Sequence, residues 1–291
     1  MTRPAVDVVI PVAGDVAEVL ARARGLALGP GDTLTVVDNR GAGISAPEVL
    51  VADGVRTSYF ARNAGARRGS APWLLFLDAD VHAPADLLDR LFADEPGGRT
   101  ALLAGAVIDE PAGPGTTAAM RFAELKRSMS QEVTLGHGRW AFAQTANCAV
   151  RRGAFEAAGG FREDVRSGGD ADLCWRLAAA GWGLERRPGA AVVHRNRATV
   201  AAMLGQRFRH GAGAGWLARE HPGAMPARRW PGLAWWSMRR AAAGLAALAR
   251  GDRDGAIVGL LDGPAVWAFE LGRLAPNRPL RRGRGAARAR G

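Results

Sequence analysis

The sequence predicts an α/β protein, a parallel sheet flanked by helices, with a helical, basic C-terminal extension. Three observations carry that expectation. Short β-branched or apolar runs alternate with helix-length segments along the first two hundred residues, the signature of right-handed crossovers. One of these runs, Trp73–Leu77, is uninterrupted by polar residues, as in a strand buried on both faces, and ends abruptly in Asp78-Ala79-Asp80. From Thr199 onward the text changes to helical stretches rich in arginine and tryptophan.

Val6–Ile10 reads as a first strand stopped by Pro11, and Asp15–Leu28 as a helix broken by Gly29-Pro30-Gly31. Thr33–Val37 is a second strand, ending in Asp38-Asn39. Pro47–Val51 has the look of a brief helix and Val55–Phe60 of a third strand. The small, glycine-rich Asn63–Ser70 reads as a helix start feeding the Trp73 strand. A helix is expected over Pro84–Phe92, a strand over Ala101–Ile108 and a helix around Ala118–Gln131. Ala141–Val150 contains a strand, Ala154–Ala158 a short helix, and Asp170–Ala180 a strong helix opened by Ser167–Gly169. Ala190–Val193 is a last buried strand, ended by His194.

Beyond it, helices are expected over Thr199–Arg209, Gly232–Arg250 and Ile257–Leu274. Arg239-Arg240 and Asp262 interrupt them, so none offers the roughly 18–20 apolar residues of a membrane span. Asn277–Gly291 reads as a disordered arginine-rich tail. The expected organisation is an α/β domain over 1–198, with halves at about 1–110 and 111–198. A helical extension over 199–276 and the tail over 277–291 follow.

The net charge of +11 is unevenly placed: −2 over residues 1–194, +9 over 195–250, −3 over 251–270 and +7 over 271–291. Trp230, Trp235 and Trp236 beside Arg228, Arg229, Arg239 and Arg240 suit a helix lying on an anionic membrane surface; a helix packed on the α/β domain is the competing reading. Nucleic acid is the less favoured partner, because no nucleic-acid motif accompanies the charge. Cys148 and Cys174 form no Cys-x-x-Cys pair, and Met1–Arg24 has no signal-peptide pattern. The expected location is cytoplasmic, peripheral on the membrane face.

Asp78 and Asp80 fall at the carboxyl edge of their strand, where open α/β sheets place ligands. One residue apart, both can turn toward a hard divalent cation; in isolation the pair reads first as a solvated turn. Asp38 sits on the same edge, able to accept the imide N–H of a uracil or to form an Asx turn with Asn39. Arg62–Gly69 combines small residues with arginines that can reach a diphosphate. Asp170 and Asp172 open a helix after flexible glycines, as helix caps or as a general base on a loop. His194 is either a core histidine or a metal ligand. Gln206 and Arg209 share one helix face at i, i+3.

Taken in order, these residues resemble the family 2 glycosyltransferases with the GT-A fold, over about residues 5–210. The resemblance rests on Val9-Ile10-Pro11, Val36-Val37-Asp38, Arg62–Gly69, Leu77-Asp78-Ala79-Asp80, and Phe155…Gly159-Gly160-Phe161 followed by Asp170-Ala171-Asp172-Leu173. It implies a Rossmann-like, mostly parallel mixed sheet, a nucleotide-diphosphate sugar donor (UDP-sugar favoured) and Mg²⁺ or Mn²⁺. Pro11, Val12, Ala13, Asp38, Asn63, Gly65, Arg67, Asp78 and Ala79 would face the donor nucleotide. Asp80, Asp78 and His194 would hold the metal. Asp170 would be the catalytic base of an inverting transfer, with Asp172, Trp175, Gln206 and Arg209 on the acceptor side. The acceptor is a glycan, lipid, peptide or small molecule.

Two departures stand out. The family usually has Glu-Asp where this chain has Gly169-Asp170, and His210 replaces the tryptophan of the Gln-x-x-Arg-Trp motif of processive synthases. The second favours transfer of a single sugar. The first keeps open a non-catalytic protein that binds nucleotide sugar.

Overall fold

A computed structural model describes residues 3–227 and 230–281. The chain opens with β1 (Val6–Val12), α1 (Val16–Ala23), β2 (Thr33–Asp38), β3 (Val49–Val51) and β4 (Val55–Arg56). Then come α2 (Ser58–Ala66), β5 (Trp73–Leu77), β6 (Val81–His82), α3 (Leu87–Leu91) and β7 (Thr100–Asp109). Next are α4 (Ala118–Leu125), α5 (Gln131–Leu135), β8 (Asn147–Arg151), α6 (Arg152–Ala157), α7 (Gly169–Ala179) and β9 (Gly183–His194). The helices α8 (Val200–Glu220), α9 (Trp230–Ala249) and α10 (Arg253–Gly272) follow, and β10 (Leu280–Arg281) is the last element described.

Backbone contacts divide the chain into two units. The first holds the described residues up to 107, 131–193 and those after 277; the second holds 108–130 and 194–277. Two of the four boundaries cut strands near their ends, in β7 and β9, and His194 is the last residue of β9.

The sheet order is β3-β2-β1-β5-β8-β7-β9-β6. β3, β2, β1 and β5 are mutually parallel, and β8 runs antiparallel to both β5 and β7, which makes the sheet mixed. The apolar run over Trp73–Leu77 is buried along its whole length, as its composition requires of a central strand. Helix α2 lies flush on β1 and β2 because residue 65 is glycine. A Cβ there would come within 2.5 Å of Val9 and 2.9 Å of Val37. Phe76 of β5 meets Phe155 and Phe161 at ring-centre distances of 5.6 and 5.1 Å, which ties the sheet to the Gly159-Gly160-Phe161 turn.

In the second unit, α8, α9 and α10 pack through glycines. A Cβ on Gly211 would lie 1.9 Å from the Phe269 carbonyl oxygen, one on Gly215 2.3 Å from that of Arg273, and one on Gly259 2.4 Å from the Gly244 Cα. Ala119, Phe122, Met203 and Ala265 form a small core between α4, α8 and α10. Asp262 is buried on α10, and Lys126 and Arg240 reach it at 3.0 and 2.7 Å. Arg240 therefore faces inward, whereas Arg239 is exposed.

Several element expectations are corrected. Val49–Val51 is an edge strand, not part of a helix, because it pairs with Val36–Asp38. The third strand stops at Arg56, since Thr57 caps α2 by accepting the Phe60 N–H at 3.1 Å. That helix begins at Ser58, earlier than the glycine-rich stretch suggests. β9 starts at Gly183 rather than Ala190, and α8 runs on to Glu220. Within the segment expected to be a disordered tail, Asn277 is buried and Leu280–Arg281 pairs antiparallel with Val55–Arg56. The rest of that segment, 282–291, lies outside the described residues.

Candidate active site

The parallel strands deliver four of the expected residues to one sheet edge. Pro11 and Val12 pair in register with Val37 and Asp38, and Asp78 follows β5 directly. Ala13 is exposed just beyond β1. The Asp38 carboxylate is buried and accepts the N–H groups of Arg40 and Gly41 at 2.8 and 2.9 Å, and that of Ala42 as well. It shapes the loop after β2, as the Asx-turn reading has it. Asn39 bonds the carbonyls of Ala52 and Val55.

Asp78, Ala79 and Asp80 are all partly accessible. Arg62 of α2, itself buried, donates to the Asp78 carboxylate, and Arg22 of α1 donates to the Ala79 carbonyl. The turn is thus held from two helices by charged hydrogen bonds, the stronger kind. Asp78, Asp80 and His194 can each offer one ligand atom, and these atoms lie within 4.8 Å of one another. Two carboxylates and one imidazole form a donor set that fits a divalent cation such as Mn²⁺ or Mg²⁺.

Asp170 enters from α7. Gly168 adopts a left-handed conformation at φ 84° and turns the chain into the helix. The Asp170 carboxylate accepts the Ala171 N–H at 3.0 Å. Crowding away from water pushes its pKa up, while the Arg62 guanidinium opposes that rise and Asp78 adds to it. Asp78 and Asp170 therefore share one electrostatic environment with Arg62. Burial also drives the thiols of Cys148 and Cys174 upward, the latter to about 12, so both remain protonated.

Other expected residues have structural partners. Asn63 bonds the Phe161 carbonyl and Glu163 at 2.8 Å each, and accepts the Phe161 N–H at 3.0 Å. With Arg67, Phe155, Phe161 and Glu163 it lines a cavity of about 480 Å³. Gly65 lies against Val9 and Val37 under α2. Asp172 is buried and paired with Arg176 at 2.8 Å, and Arg176 in turn donates to the carbonyls of Ala158 and Gly160. The Trp175 indole donates to the Trp140 carbonyl at 3.0 Å. Gln206 and Arg209 are half-buried on α8, in the second unit. Sequence reasoning missed Tyr59, buried against Phe161, and gave Arg62 no individual part. The arginine beside Asn63 was the available signal; Tyr59 left none.

The chain matches the model of glycosyl transferase family group 2 over residues 73–260, and it belongs to that family. The pre-mycofactocin glycosyltransferase of Mycobacterium tuberculosis is 31% identical over 166 residues, which is 56% of this chain and 35% of that protein. Glycosyltransferase AglE of Haloferax volcanii is 31% identical over 166 residues, 57% of this chain and 53% of its own length. The chain thus spans about a third to a half of these relatives. The mannosyltransferase PcManGT of Pyrobaculum calidifontis, solved with GDP-Man and Mn²⁺, superposes with a TM-score of 0.63 at 17% identity. The match covers 94% of this chain and 88% of that one. The fold is GT-A.

Proposed function

We propose that the protein transfers one sugar, with inversion, from a nucleotide-diphosphate sugar to an acceptor hydroxyl in a metal-dependent reaction. The observation that carries this reading is the meeting of Asp78, Arg62 and Asp170 in one electrostatic environment at the sheet's carboxyl edge. Asp80, Asp78 and His194 would hold Mg²⁺ or Mn²⁺, which when bound neutralises charge on the leaving diphosphate. Asp38 and the Pro11–Ala13 edge would flank the base, UDP being favoured. The solved complex of the GT-A neighbour makes GDP-mannose the second donor to try.

Asp170 acts as the general base. Its raised pKa makes it a stronger proton acceptor than an exposed carboxylate. Arg62 holds Asp78 in place and keeps the neighbouring carboxylates from repelling each other apart. Transfer of a single sugar agrees with His210 standing where processive synthases have tryptophan.

The location proposed is the cytoplasmic membrane face. Among the described residues no helix is long and apolar enough to cross a membrane. Helix α9 instead leaves Trp235 (61%), Met238 (59%) and Leu245 (58%) exposed, and no acidic residue occurs between Glu220 and Asp252. An apolar face flanked by arginines matches an anionic lipid surface. A lipid-linked acceptor would suit that location.

A thermal-shift screen of UDP-, GDP- and dTDP-sugars with Mn²⁺ tests the donor reading, because a ligand bound only by the folded state raises its stability. A shift of several degrees with one nucleotide class is expected. No shift with any of them would overturn the reading.

A further inference from the structure

Gly169 stands where the family's acidic residue precedes the base, and the structure shows what fills the space. A Cβ at position 169 would lie 2.9 Å from Cε2 and Cζ of Tyr59 and 3.0 Å from its Cε1. Those atoms belong to the hydroxyl end of the ring. Real Cβ contacts are not that short, so residue 169 and the Tyr59 ring exclude each other's bulk.

The ring cannot simply swing away. It is buried, stacks on Phe161 with centroids 5.5 Å apart and planes 28° apart, and carries the Arg62 guanidinium 5.8 Å from its centre. Its position is fixed by the same arginine that holds Asp78.

Helix α7 meanwhile begins without a side-chain cap, because its N-cap residue is Gly168. The first amides of any helix lack partners within it and need an acceptor. The Asp172 N–H is met by the Gly168 carbonyl at 3.1 Å and the Ala171 N–H by Asp170 at 3.0 Å. The Gly169 and Asp170 N–H groups are directed at the hydroxyl end of the Tyr59 ring, against which the Gly169 backbone lies, and burial keeps that phenol in its neutral form.

We propose that Tyr59 is a positioning residue: it caps α7 from the neighbouring helix, fills the space vacated at position 169, and so fixes Asp170 at the sheet edge. This rests on the reading of Asp170 as base. It also makes the loss of the usual acidic residue a paired change, with Gly169 and Tyr59 each requiring the other.

Tyr59→Phe keeps the ring and its packing but removes the acceptor. The expected result is a roughly fivefold to tenfold faster amide exchange at Gly169 and Asp170. In turnover of UDP-glucose and GDP-mannose with Mn²⁺, kcat should fall about tenfold while donor KM stays within about twofold. Unchanged exchange would overturn the cap. Faster exchange with wild-type kcat would overturn the positioning role; if Asp170→Asn is then equally silent, the base reading has failed rather than the cap.

Gly169→Glu tests the space-filling half. Alone it should lower the melting temperature sharply, and Tyr59→Ala added to it should recover most of the loss. A double variant no more stable than Gly169→Glu alone would overturn the pairing.

Discussion

Two buried or half-buried aspartates show how differently the two units treat charge. Asp262 of α10 is enclosed but clamped by Lys126 and Arg240 at 3.0 and 2.7 Å, so its charge is spent on holding helices together. Asp170 of α7 is half-buried, its carboxylate accepts the Ala171 backbone N–H, and its pKa is pushed up. A neutralised carboxylate stabilises and does no chemistry. One left desolvated beside an arginine and a second carboxylate costs stability and gains basicity.

That contrast predicts opposite outcomes for the same kind of substitution. Asp170→Asn should reduce turnover about 10³-fold, within the usual range for losing a general base. It should also raise the melting temperature. Because the folded-state pKa is raised, the stability linked to this group is full at acid pH and lost as pH rises through that pKa. Above that pKa the ionised carboxylate is therefore a burden that Asn removes. Steady-state kinetics and calorimetry on one preparation check both signs.

Asp262→Ala should do the reverse, leaving donor binding intact and destabilising the second unit. Breaking a buried ion pair costs about 3–5 kcal/mol. Since Lys126 and Arg240 are 41% and 33% exposed, solvent screening lowers the expectation to about 2 kcal/mol. Denaturant unfolding reads it directly. Gly215→Ala, pressing a methyl against the Arg273 carbonyl, should cost about 1–3 kcal/mol by overpacking. The smallest effect on stability belongs to Trp235→Ala with Leu245→Ala, within about 0.5 kcal/mol for exposed positions. Cosedimentation with phosphatidylglycerol vesicles should nonetheless fall about tenfold, and unaltered cosedimentation would remove α9 from the proposed membrane face.

What the sequence revealed follows the same division. Trp73–Leu77 was legible because a strand buried on both faces has no polar interruption, and the two aspartates after it mark the sheet edge. Asp170 was legible by its place in an ordered series of motifs. Val49–Val51 was not, since a three-residue edge strand after a proline looks locally like a helix start and is settled only by pairing with β2. The length of α8 was hidden by Gly211, Gly213 and Gly215, which read as breakers, although Gly211 and Gly215 are what let α8 approach α10. The polar start of β9, Glu185–Gly189, masked a twelve-residue strand. Tyr59 was invisible for another reason: its partner Gly169 lies far along the chain, and an absent side chain leaves no trace of what replaces it.

The most direct test of the central claim is nucleotide release from the donor selected by thermal shift, measured with Mn²⁺ and again after EDTA, in wild type and in Asp80→Ala. The account predicts metal-dependent turnover that EDTA abolishes and Mn²⁺ restores, and that Asp80→Ala loses even at saturating Mn²⁺. Equal turnover in EDTA, or full activity in Asp80→Ala, would contradict it.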